Sequence, residues 1–464
     1  MSKANGLIKN TFIISIGKIS TQIISFLLLP LYTARISTEE YGNADFVVSI
    51  ATFSVPFLTL LLEESMFRFL IDAKDDEDKE KIISHTFIIC TFNTTVISVI
   101  FCIIVSFLKY DMGLPIWMYC FASVLIALSN ALARGTGEIP VYSLSNFIAS
   151  VITIGLNLIF ILCFHWGFKA LIISGVIANT VAALFVYIRI NILRYLRFNR
   201  IDLNLVRKML YYSVPLVPNT ISWGVISVSD RLVIMSILGA SVNGLYSVAY
   251  KFPNLINTFY GFFVIAWKET SAKMAKDNDF SEMRKITKTV TLMLFSVTIL
   301  MISGIKIIYP IFIDKTYLSG IMVVPLLAIS VFYSSLAGYI GGIFTAYKDT
   351  KVLGITSFIS AAINLIIDLY LVRRLGIYAA AISTLVASAF LYFYRAIRVQ
   401  KYVKFLTIND AIFLCSFSIL LFIFYVSNSV LNAVIFALCM IVTIILNYKV
   451  CWKIVMKTKN KFLK

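Results

Sequence analysis

Apolar residues run along this chain in blocks of about 20, separated by short polar segments, which is the length needed to cross a bilayer as a helix. The blocks fall at 11–32, 44–62, 84–107, 115–133, 141–163, 170–188, 214–238, 244–266, 287–309, 321–345, 352–371, 377–394, 411–427 and 432–448. They are continuous, not alternating, so a transmembrane barrel is excluded. The pattern predicts an all-α polytopic membrane protein with about 14 transmembrane helices. Gly, Asn or Pro stands at several block ends, where helices stop.

Lys and Arg mark the sides. Taken in alternation, the polar connectors on the side of the two termini hold about five times as many cations as those opposite, which places both termini in the cytoplasm. The longest cytoplasmic connectors are Glu63–Ile83, Arg189–Ser213 and Trp267–Ile286. The first is acid-rich (DAKDDEDKEK) and the second basic (RYLRFNR, then VRK). All three read as amphipathic helices on the membrane surface, and the basic one suits anionic lipid. The external connectors are short and leave no room for a soluble domain.

A repeat is present. GFKALIISGVIAN at Gly167–Asn179 aligns with GIYAAAISTLVAS at Gly376–Ser388, and EEYGNADF from Glu39 aligns with SVNGLYSV from Ser241, Gly42 on Gly244. The order and separation of the matches imply two six-span copies in the same orientation. The chain then divides into a six-helix bundle over 1–190, a basic cytoplasmic linker over 191–213, a second, parallel six-helix bundle over 214–396, and over 397–464 two extra transmembrane helices with a basic tail.

Composition narrows the class further. The chain has 464 residues, of which 60% are hydrophobic, and a net charge of +18. No soluble core of that size hides so much apolar surface. The charge follows from the one-sided loop cations and implies no nucleic acid. Seven cysteines stand singly without C-x-x-C spacing, so no zinc site or disulfide framework is expected, and no metal or cofactor is implied. A P-loop is absent, as is any loop large enough for a glycosyltransferase site, so the chain reads as a transporter and not an enzyme.

A few charges interrupt the apolar blocks. The stretch SDRLVIMSILGASVNGLYSVAYKFPNLI, Ser229 to Ile256, carries Asp230, Arg231 and Lys251. A charge at mid-bilayer costs roughly 2.5–3.5 kcal/mol on insertion scales, so these predict a polar interior. Asp230 and Lys251 fall at similar depths on either side of the Gly239–Gly244 turn and can face each other, while Arg231 points about 100° away from Asp230. Lys18 lies on a polar flank of the first span with Ser15, Gln22 and Ser25. Two roles stay open: a static interhelical pair, or a cavity in which Lys18, Lys251 and Arg231 meet an anionic substrate. His85 and His165 stand at span ends and read as interfacial. Lys306 reads as a snorkelling cation. Asp368 is a lone acid in the eleventh span, and Asn93, Asn130, Asn146, Asn157, Asn179 and Asn364 are interhelical or cavity-lining polar groups.

The stretch SDRLVIMSILGASVNGLYSVAYK resembles the central signature of Wzx-type polysaccharide biosynthesis flippases, in the multidrug/oligosaccharidyl-lipid/polysaccharide exporter superfamily. LLLPLYTARISTEEYGNADF is similar to their first-span motif. The resemblance implies a V-shaped pair of bundles that alternates access to a cationic cavity and inverts an undecaprenyl-pyrophosphate-linked oligosaccharide across the bacterial inner membrane, for O-antigen or capsule synthesis. It implies that Lys251 and Lys18 bind pyrophosphate, that Asp230 or Asp368 responds to a coupling proton or sodium ion, and that polysaccharide polymerases are partners. The second span, VVSIATFSVPF, lacks a cation that related lipid II flippases carry, which favours a sugar-repeat substrate. A cation-coupled multidrug exporter of the same superfamily is the alternative, disfavoured because interior cations outnumber clear interior carboxylates. An oligosaccharide polymerase or ligase is a weaker one, given the short external loops.

Overall fold

The computed structural model describes residues 26–108, 111–197, 202–277, 280–347, 349–403 and 408–462. Among them the regular structure is helical throughout, and each block expected within them carries helix. In order the α-helices are α1 (Leu29–Arg35), α2 (Thr38–Thr59), α3 (Leu62–Asp72), α4 (Asp76–Leu108), α5 (Gly113–Gly135), α6 (Ile139–Leu162), α7 (Phe168–Ile190), α8 (Leu203–Ser213), α9 (Val217–Ile237), α10 (Ala240–Asp277), α11 (Phe280–Phe312), α12 (Val324–Ala346), α13 (Thr350–Leu375), α14 (Ile377–Val399), α15 (Ile408–Val426) and α16 (Ser429–Phe462). Among the described residues nine helices are long and apolar enough to cross a membrane outright, and up to 11 are if each of two bent pairs counts as one span. The chain is therefore a polytopic helical membrane protein. Helices predominate because hydrocarbon offers the backbone no hydrogen-bond partner, and a helix satisfies its own.

Two compact units are present, Arg35–Met235 in the first, and Leu29–Ala34 with Ser236–Lys464 in the second. In the first unit, Ser37 opens α2 with a capping box: its hydroxyl accepts from Glu40 N at 3.2 Å and its N–H donates to Glu40 Oε2 at 3.3 Å. Glu40 also accepts from Phe168 N at 3.4 Å, so one carboxylate serves the N-termini of α2 and α7. Gly167 makes this possible, because a Cβ there would overlap the carboxylate. α2 breaks at Leu60 and Leu61, both left-handed, and α3 leaves at 55°. Carbonyls freed by the break are recovered by Asn93 of α4, whose Nδ2 donates to Phe57 O and Leu58 O at 2.8 Å each. Asn93 is thus an interhelical tie, one of the two roles its type allowed. A second tie joins Asn146 Nδ2 to Asn130 Oδ1 at 3.1 Å, α6 to α5.

The second unit is built round α12, buried along most of its length. Phe295 of α11, Phe332 and Tyr333 of α12, and Phe413 and Phe417 of α15 form one aromatic cluster against it. The matched glycines take matched places: Gly42 and Gly244 lie one turn into α2 and α10, and Gly167 and Gly376 precede the first residues of α7 and α14. Gly376 has φ 56° and ψ −137°, a backbone region open essentially to glycine.

Two expectations are corrected here. Trp267–Ile286 is not a surface helix. It is the continuation of α10 to Asp277 and the first turns of α11, each far longer than a bilayer requires. Trp267 is 2% exposed, stacks on Tyr339 with ring centroids 4.3 Å apart and donates from Nε1 to Tyr339 O at 2.9 Å. Gly342 leaves room for that indole, since a Cβ would stand 2.7 Å from its Cδ1. The hydrophobic core thus runs past the apolar block into the polar sequence, which is why the connector is helical and docked. Arg395, counted with the cytoplasmic loop cations, is 2% exposed inside α14. Its guanidinium donates to Thr356 Oγ1 (3.0 Å), Ser357 Oγ (2.9 Å), Leu353 O (3.3 Å) and Ala337 O (3.0 Å), tying α12, α13 and α14 together. Lys306, expected to snorkel, donates from Nζ to Ser427 O at 3.0 Å and lies 4.7 Å from the centroid of Phe424.

Trp267 gives the first test. Trp267→Ala removes a buried indole and its hydrogen bond, and core truncations of this kind cost about 3–5 kcal/mol. Thermal unfolding of the detergent-solubilised protein should show a large drop in midpoint for Trp267→Ala and a smaller one for Trp267→Phe, which keeps the stack. An unchanged midpoint for Trp267→Ala would show that the extension of α10 is not part of the core.

Candidate functional site: buried and exposed charges within the spanning helices

Four of the five sequence-selected residues lie in the described helices; Lys18 lies outside the described residues. In the first unit, Asp230 and Arg231 stand on α9 just past a 53° bend between Leu203–Ile226 and Val228–Ile237. Asp230 is buried. Arg231 Nε donates to Asp45 Oδ2 of α2 at 2.8 Å, and the two side chains are 12% and 14% exposed. Within a spanning bundle a charge is tolerated when it meets its opposite with good geometry, and this contact ties α9 to α2. Asp45 was passed over in the sequence, where it sits close behind Glu39 and Glu40 and reads as one more acid of a helix start. What could have flagged it is the run that follows, FVVSIATF, which places Asp45 on the membrane side of the cap.

The second unit holds Lys251 and Asp368. Lys251 is on α10, about 16 Å along the axis from Ala240. Its helix neighbours Val248, Ala249 and Phe252 are buried, whereas Lys251 is exposed. The cation is therefore presented outward from the core of its own unit. Pro253 lies inside the helix two residues on and removes one backbone donor there.

Asp368 lies in a polar seam between α13 and α14. Ser357, Ser360, Asn364 and Asp368 follow one face of α13 at helical spacing, all 0% exposed. From α14, Ser383 Oγ donates to Asp368 Oδ1. Asn364 Nδ2 donates to Ser383 Oγ at 3.2 Å and Thr384 Oγ1 at 3.3 Å, and Ser360 Oγ donates to Ala387 O at 2.8 Å. One carboxylate, an amide and two hydroxyls thus converge where water is excluded. A buried carboxylate with oxygen neighbours is stabilised by a proton or by a hard monovalent cation, which prefers such ligands. No cluster of three or more His, Cys, Asp or Glu side chains able to hold a metal occurs among the described residues. His85 is buried and structural, accepting at Nε2 from Asp202 N at 2.8 Å.

Both units, their bends and the long helices define a class: the fold is that of the lipid II flippase and multidrug-exporter structures. The chain matches the lipid II flippase MurJ in an inward closed conformation with a TM-score of 0.73, 17% identity, and coverage of 95% of this chain and 100% of that one. It matches a multidrug-resistance MATE transporter in an inward-facing conformation with a TM-score of 0.66, 14% identity, and coverage of 83% and 98%. An uncharacterized membrane protein of Methanocaldococcus jannaschii is 23% identical over 86% of this chain and 99% of its own length. Residues 7–267 match the polysaccharide biosynthesis protein family, more than half of the chain, and the chain belongs to that family.

If the Arg231–Asp45 contact fastens α9 to α2, removing one partner strands a mostly buried charge, at a cost of about 3 kcal/mol. Asp45→Asn and Arg231→Gln should each lower the unfolding midpoint in detergent, and the double variant should regain most of the loss. Additive losses in the double variant would show that the two side chains are not coupled.

Proposed function

We propose that this protein is a flippase that carries undecaprenyl-pyrophosphate-linked oligosaccharide repeat units across the bacterial inner membrane by alternating access, with both termini in the cytoplasm, supplying O-antigen or capsule synthesis. The observation that carries the reading is Lys251: a cation exposed on the long helix α10 between buried neighbours, in a member of the polysaccharide biosynthesis family. A pyrophosphate carries about two negative charges and faces a hydrocarbon core of about 30 Å. Lys251 and Lys18 offset the loss of water around it, while the polyprenyl tail stays in lipid. Arg231 is the third cation and reaches substrate only when Asp45 releases it.

The Asp368 seam supplies the coupling. A proton or sodium ion bound by Asp368 with Asn364, Ser383 and Thr384 neutralises the carboxylate and favours one packing of α13 against α14; its departure favours another. Asp230, buried at the α9 bend, is the second candidate for this role. Polysaccharide polymerases are the partners that would consume the flipped product.

The likeness to multidrug MATE structures keeps a second reading, a cation-coupled drug exporter, in view. An exposed lysine on α10 disfavours cationic drugs as cargo. One complementation experiment separates the two. In a strain lacking the gene, Lys18→Ala and Lys251→Ala should each cut surface polysaccharide at least tenfold with build-up of lipid-linked oligosaccharide, and Asp368→Asn should do the same while the protein is still inserted at wild-type levels. Wild-type export by both lysine variants, or altered drug susceptibility without that build-up, would sink the flippase reading.

A further inference from the structure

α8 has three flanks. Met209 and Ser213 are buried, and Met209 packs with Leu62, Met66 and Leu70 of α3 in one core cluster. Lys208 and Asn204 lie on a polar flank. The third flank is apolar: Leu203 and, just past the helix end, Val214 are exposed, Val206 and Leu210 are half-buried with Leu210 also touching the core cluster, and Arg207 lies beside them with Tyr211 at the edge. These residues, with Pro215, line a shallow crevice. Leu203 is 74% and Tyr211 84% exposed.

The helix is fixed in place. Asp202 caps it, accepting from Asn204 N at 2.9 Å and Leu205 N at 3.1 Å. Asp202 N donates to His85 on α4. Just before α8, Ser84 donates to Tyr195 O at 2.7 Å and accepts from Arg197 N at 2.9 Å. Tyr212 stacks edge-on against Phe69 of α3. So the apolar flank is held outward by anchors on the other side and does not swing into the core. The chain arrives from a spanning helix, α7, and α8 runs on to Ile226 as the first arm of the bent pair that ends at Ile237, which keeps α8 within reach of the membrane surface. Such a helix, with an apolar flank, basic residues and little net hydrophobicity, belongs in the interfacial plane.

The charges say which lipid. Along the border between apolar and polar flanks stand Arg207, Tyr211, Asn204 and Lys208, all of them hydrogen-bond donors and two of them cationic. Arg194 and Arg197, by contrast, meet Asp76 and Glu80 of α4. We propose that this flank of α8 binds an anionic phospholipid, its phosphate held by Arg207 and Lys208 and its chains lying along Leu203, Val206, Leu210 and Val214. A guanidinium next to an apolar crevice complements a phosphate joined to hydrocarbon, and a zwitterionic headgroup would return part of the attraction as repulsion.

Native mass spectrometry of the full chain in detergent, titrated with phosphatidylglycerol or with phosphatidylcholine of the same chains, tests this. The wild type should retain phosphatidylglycerol in preference to phosphatidylcholine, and Arg207→Gln should weaken that preference about fivefold, with a further loss in R207Q/K208Q. Leu203→Ser with Val214→Ser should weaken binding of both lipids, and inorganic phosphate should not displace the bound lipid. R373Q/R374Q, which removes two cations at the end of α13, should bind as wild type does. The proposal is overturned if R207Q/K208Q keeps the wild-type preference. It is overturned equally if R373Q/R374Q loses as much, because the attraction then belongs to the overall charge and not to α8. Should R207Q/K208Q unfold, Arg207→Lys and Lys208→Arg provide folded proteins that must keep the preference.

Discussion

Inside hydrocarbon a polar group has no solvent to fall back on, and the whole structure answers to that constraint. Arg395 shows it most fully. The longest cationic side chain available is enclosed by three spanning helices, and its N–H groups reach two hydroxyls and two carbonyls. One residue thereby fixes the spacing of α12, α13 and α14. Asn93 does the same at the break between α2 and α3, where a bend without that amide would leave two carbonyls unserved. The bend between α2 and α3 occurs where that side chain and a left-handed residue pair, Leu60 and Leu61, accommodate it.

Against that background the charges separate by what surrounds them. Arg231 meets Asp45, and Asp368 is enclosed by the hydroxyls and amide of its seam. These groups gain their stability from within one unit, so they can hold a conformation or switch between two. Lys251 differs, being exposed on a helix whose adjacent residues are buried. That contrast underlies the proposal, in which the enclosed groups hold the conformation and Lys251 meets the cargo.

How much of this was legible from the chain depended on the range of the interaction. Helices were written in the length of the apolar blocks, and Gly42, Gly244, Gly167 and Gly376 marked the repeat because each does a local job at a helix start. Lys251 and Asp368 stood out as charges against an apolar background. Asp45 did not, because its partner lies 186 positions away, and sequence adjacency points to Glu39 and Glu40 instead. Arg395 looked like one of the loop cations that follow it, Arg398 and Lys401. Its burial comes from α14 continuing on the face of Ser388, Leu391 and Tyr392, a helical spacing that ran past the end of the apolar block. Trp267 was misplaced for the same reason, since the charges after it mask the stripe formed with Tyr260 and Phe263. Cores here end where packing ends, not where hydropathy does.

The central claim is the proposal that Lys251, exposed on α10, meets an anionic lipid headgroup as that headgroup crosses the membrane. Its most direct measurement is reconstitution of the full chain into liposomes holding a fluorescent polyprenyl-pyrophosphate-linked sugar, with an impermeant quencher added outside to follow inversion. The account predicts inversion by the wild type that depends on a proton or sodium gradient and falls at least tenfold in Lys251→Ala. Inversion at equal rates by the two proteins, or none by the wild type alongside gradient-driven uptake of a cationic dye, would contradict it.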